Sequence, residues 1–334
     1  MITDARALRK SYVPSELHHR DGQIDHLSSA LRPITDGDQG EDAFIFGPAG
    51  TGKTTIAKYV LGELEREALD VEWAYVNCIS EASKAAVLHT LVRDAGCGAD
   101  LRREGTPTPT FLDRLRGLDG QFVAVIDEVH VLDDMETLLA LYELDTVSMV
   151  LITLDEDRLF AEFGPRVESR LRGAPKISLD RYRQRELADI LKGRVEAGLA
   201  PGSISKQTIQ HIADLAAGDA RYAITVLRRA AKQVAERDGD MITREVIDDV
   251  TDAAERDIRS TRVGYLSTHK RLLYDIIKDA GKLGASDLHA RYAAQANDPK
   301  TKSARRRYLS SLEDYDLITS TGSGRGKRYE FVTP

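Results

Sequence analysis

The chain has 334 residues, 42% of them hydrophobic and 30% charged, about twice the usual domain length and too apolar for a disordered chain, so a single small module is excluded. The charge, 47 basic against 54 acidic residues or −7, excludes a generic polycation. No run nears the ~18 apolar residues of a membrane span, and Met1–Lys10 lacks the apolar core of a signal peptide, so we expect no membrane partner and a cytoplasmic, nucleoid-associated protein.

Taken in order, the apolar runs Asp42–Gly47, Val71–Cys78, Phe122–Ile126, Met149–Leu154 and Lys176–Leu179 predict buried parallel strands. Helix-period segments between them, Thr54–Leu69 and Lys84–Asp94 among others, predict a doubly wound α/β unit. Gln184–Ala197, Lys206–Ala216 and Arg221–Arg237 predict a small all-helical unit, and the polar stretch Asp252–Gly264 a connector. Thr268–Ala280, Ser286–Ala296 and Thr301–Leu317 predict three helices. Ile318–Thr319 and Tyr329–Val332 predict strands flanking a glycine-rich turn. From Val263 onward 13 Lys and Arg face 8 Asp and Glu, a balance of +5 that leaves −12 for the rest. Cys78 and Cys97 form no disulfide framework and lack zinc-site spacing, and the scattered histidines, His130 included, are expected to be structural or solvent-facing.

The strongest motif is Gly47-Pro-Ala-Gly50-Thr51-Gly52-Lys53-Thr54, a GxxxxGKT between a predicted strand and a predicted helix. Its backbone N–H groups, with Thr55 opening the helix, converge on phosphates. Lys53 reaches the β and γ phosphates and Thr54 can ligate magnesium. Downstream, the strand Phe122–Ile126 ends in Asp127 and Glu128, a metal-shell carboxylate and a residue that activates the attacking water. ATP or ADP with Mg2+ is therefore the expected cofactor set.

In the order of phosphate loop, Asp-Glu strand, helical unit with Gly218-Asp-Ala-Arg221 and basic C-terminal module, the chain resembles the archaeal origin-recognition initiators, AAA+ proteins related to the eukaryotic origin recognition complex and its Cdc-six partner. The resemblance implies an AAA+ P-loop base over residues 1–175, a helical lid over 176–254 and a winged helix over 263–334. It implies an adenine-side segment with Val13, Pro14 and Arg20, nucleotide contacts from Tyr182 and Arg194, and a γ-phosphate sensor at Arg221. Arg166 and Arg170 are both candidates for an arginine finger that acts on a neighbouring subunit. The family's first-sensor Asn aligns with Leu154, which cannot hydrogen-bond. Either Thr153 substitutes through its hydroxyl, or hydrolysis is slow and ATP binding acts as a switch.

On the third helix of the C-terminal module, Ala304, Tyr308, Leu312 and Tyr315 share an apolar stripe that turns Lys302, Ser303, Arg306, Arg307 and Ser310 outward. With Arg325, Lys327 and Arg328 on the wing, these are the expected contacts to double-stranded DNA. Arg102 and Arg103 are weaker candidates. The expected function is an ATP-dependent replication initiator at origin duplex, with a replicative helicase and paralogous initiators as further partners. The alternatives are a non-hydrolysing ATP-binding regulator on DNA and a partner-directed ATPase of the clamp-loader or transposition kind.

Overall fold

In the computed structural model, which describes residues 1–68 and 71–332, the five apolar runs form β1 (Ala43–Phe46), β2 (Val71–Asn77), β3 (Gln121–Asp127), β4 (Val147–Thr153) and β5 (Lys176–Ser178). They make one parallel sheet in the order β2-β3-β4-β1-β5. Crossovers cover both faces of such a sheet, so its central strands β1, β3 and β4 are buried at successive positions, whereas the edge strands β2 and β5 alternate. In β1, Ala43 and Ile45 enter one core with α1 (Asp21–Leu31) and α2 (Lys53–Glu67). Phe44 and Phe46 enter the other, closed by α3 (Lys84–Asp94), α4 (Thr108–Arg116), α5 (Glu136–Tyr142), α6 (Glu156–Glu162) and α7 (Pro165–Leu171). The register pairs Asn77 with Asp127 and Phe46 with Thr153. The phosphate loop, Asp127 and Thr153 thus gather at the carboxyl edge, where open α/β sheets bind ligands.

Beyond β5 come α8 (Gln184–Gly198), α9 (Lys206–Ala216), α10 (Ala220–Glu236) and α11 (Arg244–Gly264). The first three lie where the spacing predicts them. α11 overturns the expected connector at Asp252–Gly264. Ile247, Val250, Ala254 and Ile258 are buried at spacings of three and four, and no Gly or Pro interrupts the helix before Gly264. The charges that suggest a connector, such as Asp252, Glu255 and Arg256, occupy the exposed side.

The chain divides into two compact units, residues 1–78 with 83–254, and residues 79–82 with 255–334. The second contains α12 (Thr268–Ala280), β6 (Lys282–Gly284), α13 (Ala285–Gln295), α14 (Lys302–Asp314), β7 (Ile318–Thr321) and β8 (Arg328–Phe331). Its strands form an antiparallel sheet in the order β6-β8-β7. β6 has no sequence precursor because three residues are too few for an alternating pattern, and pairing with β8 alone defines it. Ala304, Tyr308, Leu312 and Tyr315 are all buried.

One half-buried carboxyl in the first unit gives a pH-dependent stability. Asp42, at the foot of β1, accepts the Met149 N–H at 2.7 Å, and desolvation pushes its pKa up to about 6 against that bond. A raised folded-state pKa means that the folded chain holds the proton more tightly. The resulting stability is present below the unfolded value and lost as pH rises through about 6. Asp42→Asn is therefore expected to be more stable than wild type at pH 7.5, by about 1–2 kcal/mol, with the gain shrinking by pH 5. Thermal midpoints at the two pH values measure this, and an equal difference at both would remove Asp42 as its origin.

Candidate nucleotide site and basic face

The phosphate loop joins β1 to α2. Gly52, the N-cap of α2, has φ +93°, and a Cβ there would lie 2.8 Å from the Tyr182 hydroxyl. At Gly50 (φ +80°) a Cβ would stand 2.0 Å from a carboxylate oxygen of Asp219. The left-handed backbone and the close approach of the lid both require glycine. Thr51 is fully buried and its hydroxyl donates to Pro48 O at 2.9 Å, tying the turn. Lys53 is buried, and its ammonium donates to Gly47 O at 2.6 Å and Pro48 O at 2.9 Å. Burial lowers its pKa, opposed by Glu128 and then Asp127. A buried ammonium held by neutral carbonyls is a charge ready to exchange them for an anion.

Asp127 closes β3. Its Oδ2 accepts from Thr54 Oγ1 at 2.6 Å and Tyr75 Oη at 2.8 Å, and its Oδ1 accepts the Glu128 N–H at 2.9 Å. Desolvation, then the Glu128 charge, push the Asp127 carboxyl above the usual carboxylate range. Glu128 adopts φ +57°, a conformation that costs a non-glycine residue roughly 1–2 kcal/mol and recurs at functional sites. Its Oε2 is buried without a hydrogen-bond partner and lies 3.7 Å from His130 Nδ1. His130 Nδ1 is also 2.9 Å from Thr153 Oγ1. The Thr153 hydroxyl, the candidate substitute for an amide at Leu154, is thus engaged by a buried histidine, and Leu154 itself is half-buried.

The donor set fits Mg2+. Thr54 and Asp127 supply hard oxygens, and no group of three or more His, Cys, Asp or Glu among the described residues could hold a metal alone. Magnesium is commonly bound through one or two carboxylates with phosphate and water completing its shell.

Beside the loop lies a cavity of about 360 Å3 walled by Tyr12, Pro14, Thr55, Tyr182, Ile190 and Ile224, within the range of ligand pockets. Pro14 lines it and Val13 does not. Arg20 is buried, sits 4.0 Å from the Tyr182 ring centre and donates to Thr51 O and Asp180 O at 3.2 and 2.9 Å. It braces the phosphate loop.

Arg194 also borders the cavity, but its guanidinium is committed elsewhere. It donates to Ala7 O, Arg9 O and Tyr12 O at 2.9, 3.1 and 2.9 Å and lies over the Tyr12 ring at 4.8 Å. Thr3 and Asp4 N–H both donate to Gly198 O, Ala200 N–H donates to Met1 O, and Leu8 packs in the lid core. Residues 1–12 are therefore strapped to the lid. Arg221 lies in the first turn of α10. Asp219 caps that helix by accepting the Tyr222 N–H at 3.1 Å, and Ala220 N–H donates to Gly50 O at 3.1 Å. The Arg221 charge reaches Lys53 and helps lower its pKa.

Arg166 and Arg170 stand exposed on α7, away from this cavity. Arg166 pairs with Glu136 at 3.6 Å, an exposed contact of small energetic weight. Arg102 and Arg103 are exposed. The neighbours of the loop and cavity that the motifs do not single out are Tyr12, Tyr75 and His130.

In the second unit, Thr301 caps α14 by accepting the Ala304 N–H at 3.2 Å. Lys302, Ser303 and Arg306 are exposed, while Arg307 and Ser310 are half-buried. Arg305, inside the arginine triplet, is buried and donates to His289 O at 3.1 Å. On the β7–β8 connection, Lys327 is half-buried with Nζ 3.8 Å from Glu313 Oε2, and Arg328 is exposed. The Arg325 side chain lies outside the described residues.

Residues 16–154 match the AAA ATPase domain family, and residues 188–255 match the Cdc6 AAA+ ATPase-type lid domain. ORC1-type DNA replication protein 9 of Halobacterium salinarum is 37% identical over 333 residues, 99% of this chain and 94% of its own. ORC1-type DNA replication protein 1 of the same organism is 39% identical over 303 residues, 90% and 98% of the two chains. The solved structure of the Aeropyrum pernix ORC1 protein in complex with DNA is similar at a TM-score of 0.75 and 27% identity, covering 98% of this chain and 92% of that one. Among the described residues no helix is long and apolar enough to cross a membrane.

Proposed function

The chain belongs to the family of ORC1-type DNA replication proteins, and from that premise we propose that it is an ATP-dependent initiator that binds origin duplex. The observation that carries this reading is the convergence of Lys53, Asp127 and Arg221 on one phosphate loop beside a nucleoside-sized cavity. In this reading Lys53 gives up its two carbonyl partners to the β and γ phosphates. Thr54 and Asp127 hold Mg2+, which when bound neutralises phosphate charge. Glu128 accepts the proton of the attacking water. Arg221, carried by the lid, engages the triphosphate alone and so supplies the differential contact that a switch requires. Tyr182 and Pro14 flank the nucleoside, with Arg20 and Arg194 acting through the backbone they brace. Arg166 or Arg170 acts on the ATP of a neighbouring, paralogous subunit.

The second unit is read as a winged helix with α14 in the major groove through Lys302, Ser303, Arg306, Arg307 and Ser310. Arg325, Lys327 and Arg328 on the wing follow the backbone. The DNA in the Aeropyrum pernix complex supports this reading. ATP binding sets the grip on DNA and on a replicative helicase. The commitment of Thr153 to His130, with Leu154 beside it, favours slow turnover and gives weight to the second reading, a non-hydrolysing regulator on DNA.

Equilibrium binding of ATP-loaded protein to duplexes from the DNA beside its own gene, against shuffled duplexes at two salt concentrations, tests the proposal. A preference for one native segment that survives added salt is expected. Equal, salt-labile binding to all duplexes would turn the reading toward a partner-directed ATPase. ATP turnover with and without duplex separates the initiator from the regulator.

A further inference from the structure

We propose that Tyr75 is a positioning residue for the metal side of the nucleotide site, its hydroxyl fixing the Asp127 carboxylate in the orientation that serves Mg2+. The proposal rests on the nucleotide reading above. Tyr75 lies on β2, whose register sets it against Val125, two places before the Asn77–Asp127 pair. That offset brings a long side chain on β2 level with the end of β3, on the sheet face covered by α2. Trp73 and Val71 on the same face contribute to the apolar core, so packing alone asks only for a phenylalanine-like ring at Tyr75. The hydroxyl instead reaches 2.8 Å to Asp127 Oδ2 and accepts from Asn77 Nδ2 at 3.4 Å. Above the ring, the Lys58 ammonium lies 4.1 Å from its centre. Lys58 is one turn beyond Thr54 on α2, so a single helix face carries the proposed metal ligand and the cation that seats the tyrosine.

The distribution of donors on Asp127 gives the hydroxyl its role. Thr54 has one hydroxyl proton, which it gives to Oδ2, leaving its lone pairs to face a cation. The Glu128 N–H takes one site on Oδ1. With these two donors alone, Oδ2 would keep a single partner, the Thr54 hydroxyl in the first turn of α2. The Tyr75 hydroxyl is the second donor to Oδ2 and comes from β2, an element separate from the phosphate loop and from α2. Such outer partners of metal ligands set ligand orientation, and their loss commonly weakens metal affinity about 10- to 100-fold.

Tyr75→Phe tests this with a binding readout. A fluorescent ATP analogue is titrated into wild type and variant in EDTA and at a series of Mg2+ concentrations. We expect metal-free affinity within about twofold of wild type and a Mg2+ midpoint raised about tenfold. Asp127→Asn should raise the midpoint further. An unchanged midpoint in Tyr75→Phe overturns the proposal, and so does an equal loss of affinity with and without metal, which would mark Tyr75 as a packing residue. If wild-type protein does not bind the analogue at all, the nucleotide reading itself fails; if it binds with no dependence on Mg2+, the nucleotide reading stands and the Tyr75 role is overturned.

Discussion

Lys53→Ala is expected to weaken ATP binding by about 100-fold, near 3 kcal/mol, because the truncation removes the one buried cation of the loop. In the free protein that ammonium is held by Gly47 O and Pro48 O while two carboxylates, Asp127 and Glu128, raise its proton affinity against desolvation. Without it, incoming phosphates would meet both carboxylates with one buried cation fewer to offset them. The loss should appear directly in an equilibrium titration. It should also appear as a smaller rise in thermal midpoint on adding ATP, since a ligand stabilises the folded state according to its affinity. The variant itself should remain folded, because the core clusters on the two faces of the sheet do not include Lys53. An unchanged titration would remove Lys53 from the site.

The second large effect is expected in the C-terminal unit. Arg306→Ala combined with Arg328→Ala should weaken binding to a preferred duplex by about 100-fold while leaving ATP affinity unchanged, each arginine contributing about 1–3 kcal/mol if it pairs with a base edge. The logarithmic salt slope separates two kinds of recognition. It falls by about one for each phosphate left without its cation and stays flat where an arginine reads a base. Both side chains are exposed, so the fold should be indifferent to their truncation. Arg305 is the control. It is buried, donates to His289 O and lies over the Tyr292 ring at 5.2 Å, so Arg305→Ala should lower the thermal midpoint. Full DNA affinity in the double variant would remove α14 and the wing as the interface.

What can be read from the chain alone follows the range of the interactions. The phosphate loop, the Asp127–Glu128 strand end and the helices α8, α9 and α10 are written in consecutive residues, where spacing and local chemistry suffice. α11 is obscured because its charge density resembles a loop until Ile247, Val250, Ala254 and Ile258 are lined up as one face. Tyr75 and His130 escape notice because their partners, Asp127 and Thr153, lie on neighbouring strands, and only register brings them together. The work done by Arg194 is illegible for a different reason. Its acceptors are the carbonyls of Ala7, Arg9 and Tyr12, and a backbone carbonyl has no residue type by which to announce itself.

The strapping of residues 1–12 has a consequence for selectivity. Tyr12, which walls the cavity, and Asp219 with Arg221, which stand beside the phosphate loop, are both carried on the lid. Any rotation of the lid therefore works as a lever on the two ends of a nucleotide at once. By reciprocity, on the proposed nucleotide reading, a change at Tyr12 is expected to alter how the protein distinguishes ADP from ATP, and the terminal phosphate to alter how tightly the base is gripped.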